Sequence, residues 1–244
     1  MLSDKWHEIL ENIKSPSSSS EAALFNYLAN ISMKYSYLYV ETPKAACSSI
    51  KNTLINAELG YIVNYQEFED LHLRQLSPLI NPAQVGSFEM FMQQCKFKFC
   101  FVRDPYTRLL SSYLDKIAVG HSWRRQAVMQ SLNLNEHDEI GFDAFVDYVC
   151  SQSSPEMDPH WRMQSDLLCI DDIAYDFIGR FEKFGSDFSN VLQNLSINSD
   201  LYFLRESRHA TDATNKMHNY YNAELKKKVY NKFMCDFEAF KYQS

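Results

Sequence analysis

Two stretches of the chain share one pattern, a short apolar run, then a polar loop, then apolar residues at helical spacing, and this pattern constrains the fold most. The first run covers Tyr37 to Glu41, and the second covers Phe97 to Val102. Both runs are rich in aromatic and aliphatic residues, so each is predicted to be a buried strand. Strands that alternate with helices predict an α/β fold with a central, mostly parallel sheet flanked by helices.

A helix is predicted directly after each strand and its loop. In the first unit, apolar residues recur at i, i+3, i+4 and i+7, and Ser48 or Ser49 is expected as the N-cap. In the second unit, Asp104 is the expected N-cap and Pro105 the first helical residue. Ser111 falls on the polar face of this second helix, so we expect it to lie outside the core.

The rest of the chain is predicted from hydrophobic periodicity and capping signals. Ser18 and Glu21 resemble a capping box, so a helix is expected from Glu21 to Met33. We predict residues 1–20 as an N-terminal helix with a Ser-rich linker and residues 21–244 as a single domain. The other predicted elements are a helix over Phe142–Val149, a strand over Tyr175–Phe181, a helix over Phe188–Leu195, a strand over Leu201–Leu204, and a helix over Ala223–Phe240 capped by Asn222.

Composition excludes several classes of protein. With 24 Lys+Arg against 31 Asp+Glu, the 244-residue chain has a net charge of -7, which argues against a nucleic-acid partner. No apolar run approaches the roughly 20 residues of a membrane span, and no signal peptide is visible, so a cytoplasmic protein without a transmembrane segment is expected. The six cysteines form no CxxC pair and no zinc-ligand spacing, which predicts reduced thiols and no metal site.

The loop after the first strand has the residues of a phosphate-binding site. Parallel sheets bind ligands at the carboxyl ends of their strands, where helix N-termini attract anions. The segment Lys44-Ala45-Ala46-Cys47-Ser48-Ser49 offers a cation, small residues and hydroxyl groups. No Gly-Lys-Ser or Gly-Lys-Thr is present, so this is not the P-loop of an ordinary NTPase.

The second loop is predicted to hold another anionic group. Arg103 ends the second strand, and Ser111 follows eight residues later. A guanidinium and a hydroxyl are suitable groups for holding a phosphate. If the two strands are neighbours in one sheet, the two loops fit a ligand with two separated anionic groups.

Four segments resemble the carbohydrate sulfotransferases of the Golgi chondroitin and dermatan type. The segments Pro43–Ser49 and Phe101–Tyr113 resemble the family's 5′- and 3′-phosphosulfate-binding motifs. The segment from His160 to Glu182 and the tail from Tyr220 to Tyr242 are also similar, so the resemblance covers most of residues 37–242.

This resemblance implies a P-loop-like sulfotransferase fold and transfer of a sulfuryl group from 3′-phosphoadenosine 5′-phosphosulfate (PAPS) to an acceptor hydroxyl, with a carbohydrate or glycoconjugate as the expected acceptor. By that likeness, Lys44 and the backbone and hydroxyls of Ala45 to Ser49 surround the 5′-phosphosulfate, Arg103 and Ser111 take the 3′-phosphate, and no metal is required. The chain departs from the family where Thr-Asn-Trp is replaced by Ser48-Ser49-Ile50. It also shows no N-terminal membrane anchor, so a bacterial-type cytoplasmic enzyme is expected.

The acceptor hydroxyl needs a general base, and histidine titrates closest to neutral pH. Our candidate is His72, which lies between the two binding motifs, where related sulfotransferases are expected to place a catalytic histidine or glutamate. The alternatives are Glu67, Glu69, Asp70 and His160. The segment from Gly120 to Asp158, with Trp123 and Arg124, is a candidate wall for the acceptor.

Two other functions stay open at this point. Residues 167–172 read as an apolar strand that ends in Asp171-Asp172, which is how a kinase or NTPase would hold magnesium. A turn at this position is the simpler interpretation. The second alternative is an inactive nucleotide-binding module that keeps the fold without the reaction.

Overall fold

The structure is a computed structural model that describes residues 3–17, 20–63, 71–120, 122–203 and 211–243. Contacts divide the chain into two compact units. Unit 1 consists of Met1–Val102 and Leu167–Ser207, and unit 2 consists of Arg103–Asp166 and Arg208–Ser244. The prediction of a single domain over residues 21–244 stays a prediction.

The described part of the chain contains four strands and thirteen α-helices. In chain order they are α1 Asp4–Asn12, α2 Glu21–Leu28, β1 Ala29–Ser32, β2 Tyr37–Val40, α3 Cys47–Leu59, α4 Phe88–Gln94, β3 Phe97–Val102, α5 Pro105–Lys116, α6 Trp123–Ser131, α7 Phe142–Ser151, α8 Gln164–Leu167, β4 Phe177–Arg180, α9 Phe184–Asn194, α10 Ser199–Tyr202, α11 Ala213–Tyr220, α12 Ala223–Lys232 and α13 Met234–Phe240.

Unit 1 is built on one four-stranded sheet with the order β1-β2-β3-β4. β1 pairs antiparallel with β2, whereas β2 with β3 and β3 with β4 are parallel. The predicted α/β class with a mostly parallel sheet is therefore confirmed. Because β2 and β3 are neighbours, their carboxyl ends lie side by side, which is the condition that the sequence argument left open.

Aromatic side chains join neighbouring strands of the sheet and pack α9 against it. Tyr39 stacks on its cross-strand partner Phe99 with ring centroids 5.0 Å apart, and Phe101 meets Phe188 of α9 edge to face at 6.0 Å. Gly179 pairs with Phe101, and a Cβ atom on this glycine would lie 2.4 Å from the Phe101 ring. Only glycine therefore fits at this point of β4.

Unit 2 has an all-helical core around α5, α7, α11 and α12. Tyr113 of α5 packs on Phe142 and Phe145 of α7, with ring centroids 5.2 and 5.7 Å apart. The Tyr221 hydroxyl donates a hydrogen bond of 2.9 Å to the carbonyl of Tyr106. These contacts fix the start of α5 within unit 2.

The helix expected over Glu21 to Met33 is wrong in its second half. α2 ends at Leu28, and residues 29–32 form β1, which pairs with β2 through a tight turn that contains Ser36 at φ 55°. Strand pairing of this kind overrides a local helical pattern because it depends on a partner elsewhere in the chain. Ser18, the expected cap, lies outside the described residues, and Ser20 caps α2 instead.

Three further expectations are wrong in detail. Residues 199–202 form a short helix capped by Asn198 rather than the start of a strand, and Leu204 is outside the described residues. The last helix is interrupted at Phe233, which separates α12 from α13. The N-cap of α3 is Ala46 and not Ser48 or Ser49.

Other expectations are confirmed. Asp104 caps α5 by accepting a hydrogen bond from the backbone N–H of Thr107, and Asn222 caps α12. The predicted helices at the N-terminus, after β2, at Phe142 and at Phe188 are present, as is the strand within Tyr175–Phe181. Among the residues described, no helix combines the length and the apolar character needed to cross a membrane.

Candidate active site

The loop between β2 and α3 has an unusual backbone. Lys44 has φ 70° and Ala46 has φ 63°, which is the left-handed region that side chains other than glycine rarely adopt. Between them, Ala45 is fully buried and its N–H donates to the carbonyl of Thr42 at 3.2 Å. Strained backbone of this kind is found most often at ligand-binding loops.

Polar groups at the start of α3 are available to a ligand. The N-cap residue Ala46 has no side chain that could accept from the first turn, so the N–H groups of Cys47, Ser48 and Ser49 begin the helix without a side-chain cap. The hydroxyl of Thr42 is buried and, within the described ranges, has no hydrogen-bond partner. The positive end of the helix dipole and these free donors suit an anion.

A buried ion pair lies beside this loop. The carboxylate of Glu41, directly after β2, is 3.1 Å from the ammonium of Lys51 in α3, and both side chains are at most 3% exposed. Burial alone would raise the pKa of Glu41, but Lys51 and His72 together lower it to about 2. Glu41 is thus ionised at neutral pH, and Lys51 neutralises it, so the pair does not repel an anionic ligand.

His72 contacts both the loop and the ion pair. Its Nε2 atom is 3.1 Å from the hydroxyl of Ser48, and its Nδ1 atom is 3.4 Å from Glu41 Oε1 and 3.4 Å from Lys51 Nζ. The side chain remains 21% exposed. The structure therefore brings the predicted base to the predicted anion loop, whereas Glu67, Glu69 and Asp70 lie outside the described residues.

Cys47 takes no part as a thiolate or as a metal ligand. Burial, and after it the charge of Glu41, raise the pKa of the Cys47 thiol to about 11, although the charges of Lys51 and Lys44 oppose the shift. The ligand atoms of Glu41, Cys47 and His72 lie within 4.8 Å of one another. However, a protonated thiol and a carboxylate paired with an ammonium group are a poor donor set for a cation.

In unit 2, Arg103, Thr107 and Ser111 follow one another at four-residue spacing, which places them on one side of the start of α5. Arg103 Nε donates to the hydroxyl of Thr107 at 3.2 Å, and Ser111 shares a hydrogen bond of 2.9 Å with the hydroxyl of Thr211. Ser111 is only 2% exposed, so the expectation that it lies outside the core is wrong.

The reason for the burial of Ser111 is that the polar side of α5 is covered. Arg108, on the same side, is 2% exposed and donates to the carbonyls of Arg162 and Pro159 at 2.7 and 2.9 Å. Ser112 donates to the carbonyl of His160 at 2.5 Å. A helix can bury both its polar side and its apolar side when a loop supplies hydrogen-bond partners for the polar side.

Gln164 holds the backbone of Arg103 in place. Its Oε1 atom accepts from the N–H of Arg103 at 2.9 Å, and its Nε2 atom donates to the carbonyl of Arg103 at 2.8 Å. The N–H of Gln164 in turn donates to the buried carboxylate of Asp236 at 2.8 Å. Burial raises the pKa of Asp236, and the hydrogen bonds from Ser165 and Gln164 only partly offset this.

His160 and Arg124 belong to a separate hydrogen-bond network in unit 2. Both contact Asp158, His160 through Nδ1 and Arg124 through Nε, each at 2.7 Å. Burial lowers the pKa of His160, although the hydrogen bond with Asp158 and its charge oppose the shift. The Arg124 guanidinium lies over the ring of Trp123, 4.4 Å from its centre, and Trp123 is 62% exposed.

Residues 167–172 do not form the strand that a magnesium-binding kinase would need. The segment follows α8 as a turn in which Cys169 has φ 47°. The carboxylate of Asp172 accepts from the backbone N–H and the hydroxyl of Ser3, at 2.7 and 2.6 Å. Asp172 therefore ties the N-terminal segment to unit 1.

Sequence reasoning missed several residues that shape these sites, namely Glu41, Lys51, Thr107, Gln164 and Asp236. A charged residue at the end of an apolar strand was the available signal for Glu41. The four-residue spacing from Arg103 to Ser111 was the signal for Thr107. Nothing local indicates Gln164 and Asp236, which are 72 residues apart in the chain.

Comparison with known proteins gives one family and a set of relatives. The family model described as "Sulfotransferase family" matches residues 28–243. Similar curated proteins include carbohydrate sulfotransferase 14 of Mus musculus, 27% identical over 225 residues that cover 87% of this chain and 59% of the relative. Carbohydrate sulfotransferase 12 of Xenopus laevis is 27% identical, with coverage of 86% and 58%, and carbohydrate sulfotransferase 8 of Mus musculus is 27% identical, with coverage of 93% and 59%.

The chain thus spans about three fifths of the length of these relatives. It has no significant match among solved structures.

Proposed function

Because this chain belongs to the sulfotransferase family, we propose that it transfers a sulfuryl group from PAPS to a hydroxyl of a carbohydrate acceptor. The observation that carries this proposal is the contact of 3.1 Å between His72 Nε2 and the Ser48 hydroxyl. This contact supports a role for His72 as proton acceptor beside the N-terminus of α3, which begins shortly after Lys44. An anion-binding helix end and a base are the two groups that this reaction needs side by side.

The donor is proposed to bind through its two anionic ends. In unit 1, Lys44 and the backbone and hydroxyls of Ala45 to Ser49 hold the 5′-phosphosulfate, in keeping with the uncapped start of α3 and the unpaired hydroxyl of Thr42. In unit 2, Arg103 and Ser111 hold the 3′-phosphate, and Thr107 is added to this set because it contacts Arg103. No metal is needed for this mode of binding.

PAPS, when bound, supplies an activated sulfuryl group whose S–O bond breaks with both electrons going to the phosphate oxygen. His72 Nε2 accepts the proton of the acceptor hydroxyl while the new O–S bond forms. Lys44 and the start of α3 stabilise the negative charge that develops on the bridging oxygen. Positioning and charge stabilisation are therefore the main tasks of these residues.

The acceptor class is proposed from the names of the relatives, which are carbohydrate sulfotransferases. The exposed ring of Trp123 beside Arg124 remains our candidate for the acceptor wall, because an aromatic ring and a cation suit a sugar with an acidic group. In the described part of the chain no disulfide joins the six cysteines, which agrees with a reducing compartment, so a cytoplasmic location stays part of the proposal.

A kinase or NTPase is disfavoured because the chain lacks Gly-Lys-Ser/Thr and because Asp172 is engaged by Ser3. An inactive nucleotide-binding module is the second alternative, and the placement of His72 beside Ser48 argues against it. The kinase alternative predicts a preference for magnesium ATP, and the inactive module predicts binding without transfer.

The test is transfer of radiolabelled sulfuryl groups from PAPS to a panel of neutral and anionic carbohydrates by the wild type, His72→Asn and His160→Asn. His72→Asn is expected to lower kcat by about 10²- to 10⁴-fold and to leave the affinity for 3′-phosphoadenosine 5′-phosphate unchanged. If His160→Asn lowers kcat in this way and His72→Asn does not, the base is wrongly assigned. If the wild type binds the nucleotide and transfers nothing to any carbohydrate, the proposed reaction is wrong.

A further inference from the structure

Both ring nitrogens of His72 have partners, and the two partners differ in kind. Nε2 faces the hydroxyl of Ser48, which can donate or accept. Nδ1 faces a carboxylate oxygen, Glu41 Oε1, and an ammonium group, that of Lys51, each at 3.4 Å. If Nδ1 donates to the Glu41 carboxylate, the proton of the neutral ring is on Nδ1. If Nδ1 accepts from the Lys51 ammonium, the proton is on Nε2.

The needs of the buried carboxylate favour a proton on Nδ1. Glu41 Oε2 is next to Lys51, but Oε1 requires its own donor, because an unsatisfied buried carboxylate oxygen is costly. His72 Nδ1, which lies 3.4 Å from Oε1, is the ring nitrogen that can carry this donor. In the other tautomer, the lone pair of Nδ1 would face the lone pairs of Oε1, which is repulsive.

Lys51 does not need to donate to His72. Its ammonium group has three N–H donors and forms an ion pair with Glu41 Oε2 at 3.1 Å, beside the 3.4 Å contact with His72 Nδ1. Lys51 instead keeps Glu41 ionised inside the protein, which makes the carboxylate a stronger acceptor for Nδ1–H. The pair thus acts on His72 as one unit.

We propose that Glu41, held in place by Lys51, is the positioning residue that fixes the proton of His72 on Nδ1 and leaves the lone pair of Nε2 for the acceptor hydroxyl. The inference rests on the proposed function and adds to it a residue outside both binding loops. When Nε2 accepts the proton, the imidazolium that forms is balanced by the charge of Glu41. The hydroxyl of Ser48, 3.1 Å from Nε2, lies on the side of the ring from which Nε2 accepts the proton.

Among the described residues, the charged groups around His72 come from three segments. Glu41 follows β2, Lys51 lies in α3, and Arg74 follows His72 in the chain. Burial lowers the pKa of Arg74 while the charge of Glu41 opposes this shift, and the Arg74 guanidinium donates to Asn30 Oδ1 at 2.6 Å. Cys47 stays neutral for the reasons given above. Glu41 is therefore the acceptor that the described residues offer to Nδ1.

The first test is spectroscopic and needs no substrate. Histidine labelled with nitrogen-15 is introduced into the wild type, and the His72 signals are assigned by their loss in His72→Asn. At a pH where the ring is neutral, the proton is expected on Nδ1 and a bare nitrogen at Nε2. A proton on Nε2 would overturn the inference, whether or not the protein transfers sulfuryl groups.

The second test separates positioning from stability. Glu41→Gln is expected to lower kcat by about 10²-fold with little change in KM for PAPS, and to populate the second tautomer. Because this variant leaves Lys51 buried without a counter-charge, Glu41→Gln/Lys51→Met is made as well. The double variant is expected to recover the melting temperature of the wild type but not its kcat.

Glu58→Gln is the matched control, because Glu58 is another carboxylate of unit 1 that accepts a hydrogen bond, from Ser32 at 2.6 Å. It should change neither kcat nor the tautomer. If kcat returns with stability in the double variant, Glu41 has only a structural role and the inference is wrong. If the wild type has no transfer activity but shows the Nδ1 proton, the proposed function fails and the tautomer assignment stands.

Discussion

Two carboxylates are fully buried next to the two candidate sites, and the protein treats them in opposite ways. In unit 1, Glu41 is paired with a cation, Lys51, at 3.1 Å. In unit 2, Asp236 accepts from neutral donors, the N–H groups of Gln164 and Ser165 and the Ser165 hydroxyl, at 2.7 to 2.8 Å. The pKa of Glu41 falls to about 2, whereas burial raises the pKa of Asp236.

The difference reflects what each carboxylate does. Glu41 contacts a histidine, so its charge matters for a proton transfer, and Lys51 keeps it ionised. Asp236 contacts the residue that clamps the backbone of Arg103, so it needs only to be a hydrogen-bond acceptor. The contributions of the two groups to stability therefore depend on pH with opposite sign, since the folded pKa is lowered in one and raised in the other.

The largest effect is expected when the cation of the first site is removed. Lys51→Met leaves Glu41 buried without a counter-charge and should lower the free energy of unfolding by about 3–5 kcal/mol. The measurement is urea unfolding at neutral pH. Lys228→Met, which breaks an exposed pair with Asp147, is the control and should leave the free energy of unfolding nearly unchanged. Similar losses in the two variants would show that the Glu41–Lys51 pair is not buried as described.

The pH dependence of the free energy of unfolding should show the contribution of Glu41 to stability. Its pKa is lowered from 4.5 to about 2 on folding, so its contribution of roughly 3 kcal/mol is present above pH 4.5 and is lost as pH falls toward 2. Urea unfolding of the wild type and Glu41→Gln across this range should therefore give free energies that converge as the pH decreases. A constant difference would contradict the lowered pKa.

In the second site, Gln164→Leu should have a smaller effect on stability and a specific one on binding. It removes the hydrogen bonds of Gln164 to the N–H and carbonyl of Arg103, at a cost of about 1–3 kcal/mol. Gln152→Leu, which removes a hydrogen bond of 3.1 Å from Trp161, is the control. Both variants should be destabilised in urea unfolding, but only Gln164→Leu should weaken binding of 3′-phosphoadenosine 5′-phosphate in calorimetry. Equal affinities would show that the clamp does not position Arg103 for the nucleotide.

The smallest effect is expected from Ser111→Ala. Loss of one hydroxyl from the proposed 3′-phosphate site should weaken nucleotide binding by about 1 kcal/mol, or roughly fivefold in Kd. Ser112→Ala, on the next residue, removes hydrogen bonds to the carbonyls of Arg108 and His160 instead. Calorimetry should find that Ser112→Ala leaves the affinity for the nucleotide unchanged. A larger loss of affinity for Ser112→Ala than for Ser111→Ala would show that Ser112, and not Ser111, contacts the 3′-phosphate.

The two sites also differ in how much of them the sequence predicts. The loops at Lys44 and Arg103 could be found because strand, loop and helix follow one another in the chain. His72 could be proposed from its position between the two loops. The buried pair of Glu41 and Lys51 could not, because a charged residue in a sequence gives no sign that folding will remove it from water.

Unit 2 shows the same limit at longer range. The helical pattern of α5 is correct, but its polar side, expected to lie outside the core, is covered by residues from around 159–164 and by Thr211. The link from Arg103 through Gln164 to Asp236 joins positions far apart in the chain. Periodicity reports which side of a helix is apolar, and it does not report which segment will pack on the other side.

The most direct test of the central claim is calorimetric binding of 3′-phosphoadenosine 5′-phosphate, compared with ADP and with ATP and magnesium, to the wild type and Arg103→Ala. The account predicts binding that requires the 3′-phosphate and that weakens by about 2 kcal/mol, roughly thirtyfold in Kd, in Arg103→Ala. Absence of binding, or a preference for ATP with magnesium, would contradict it.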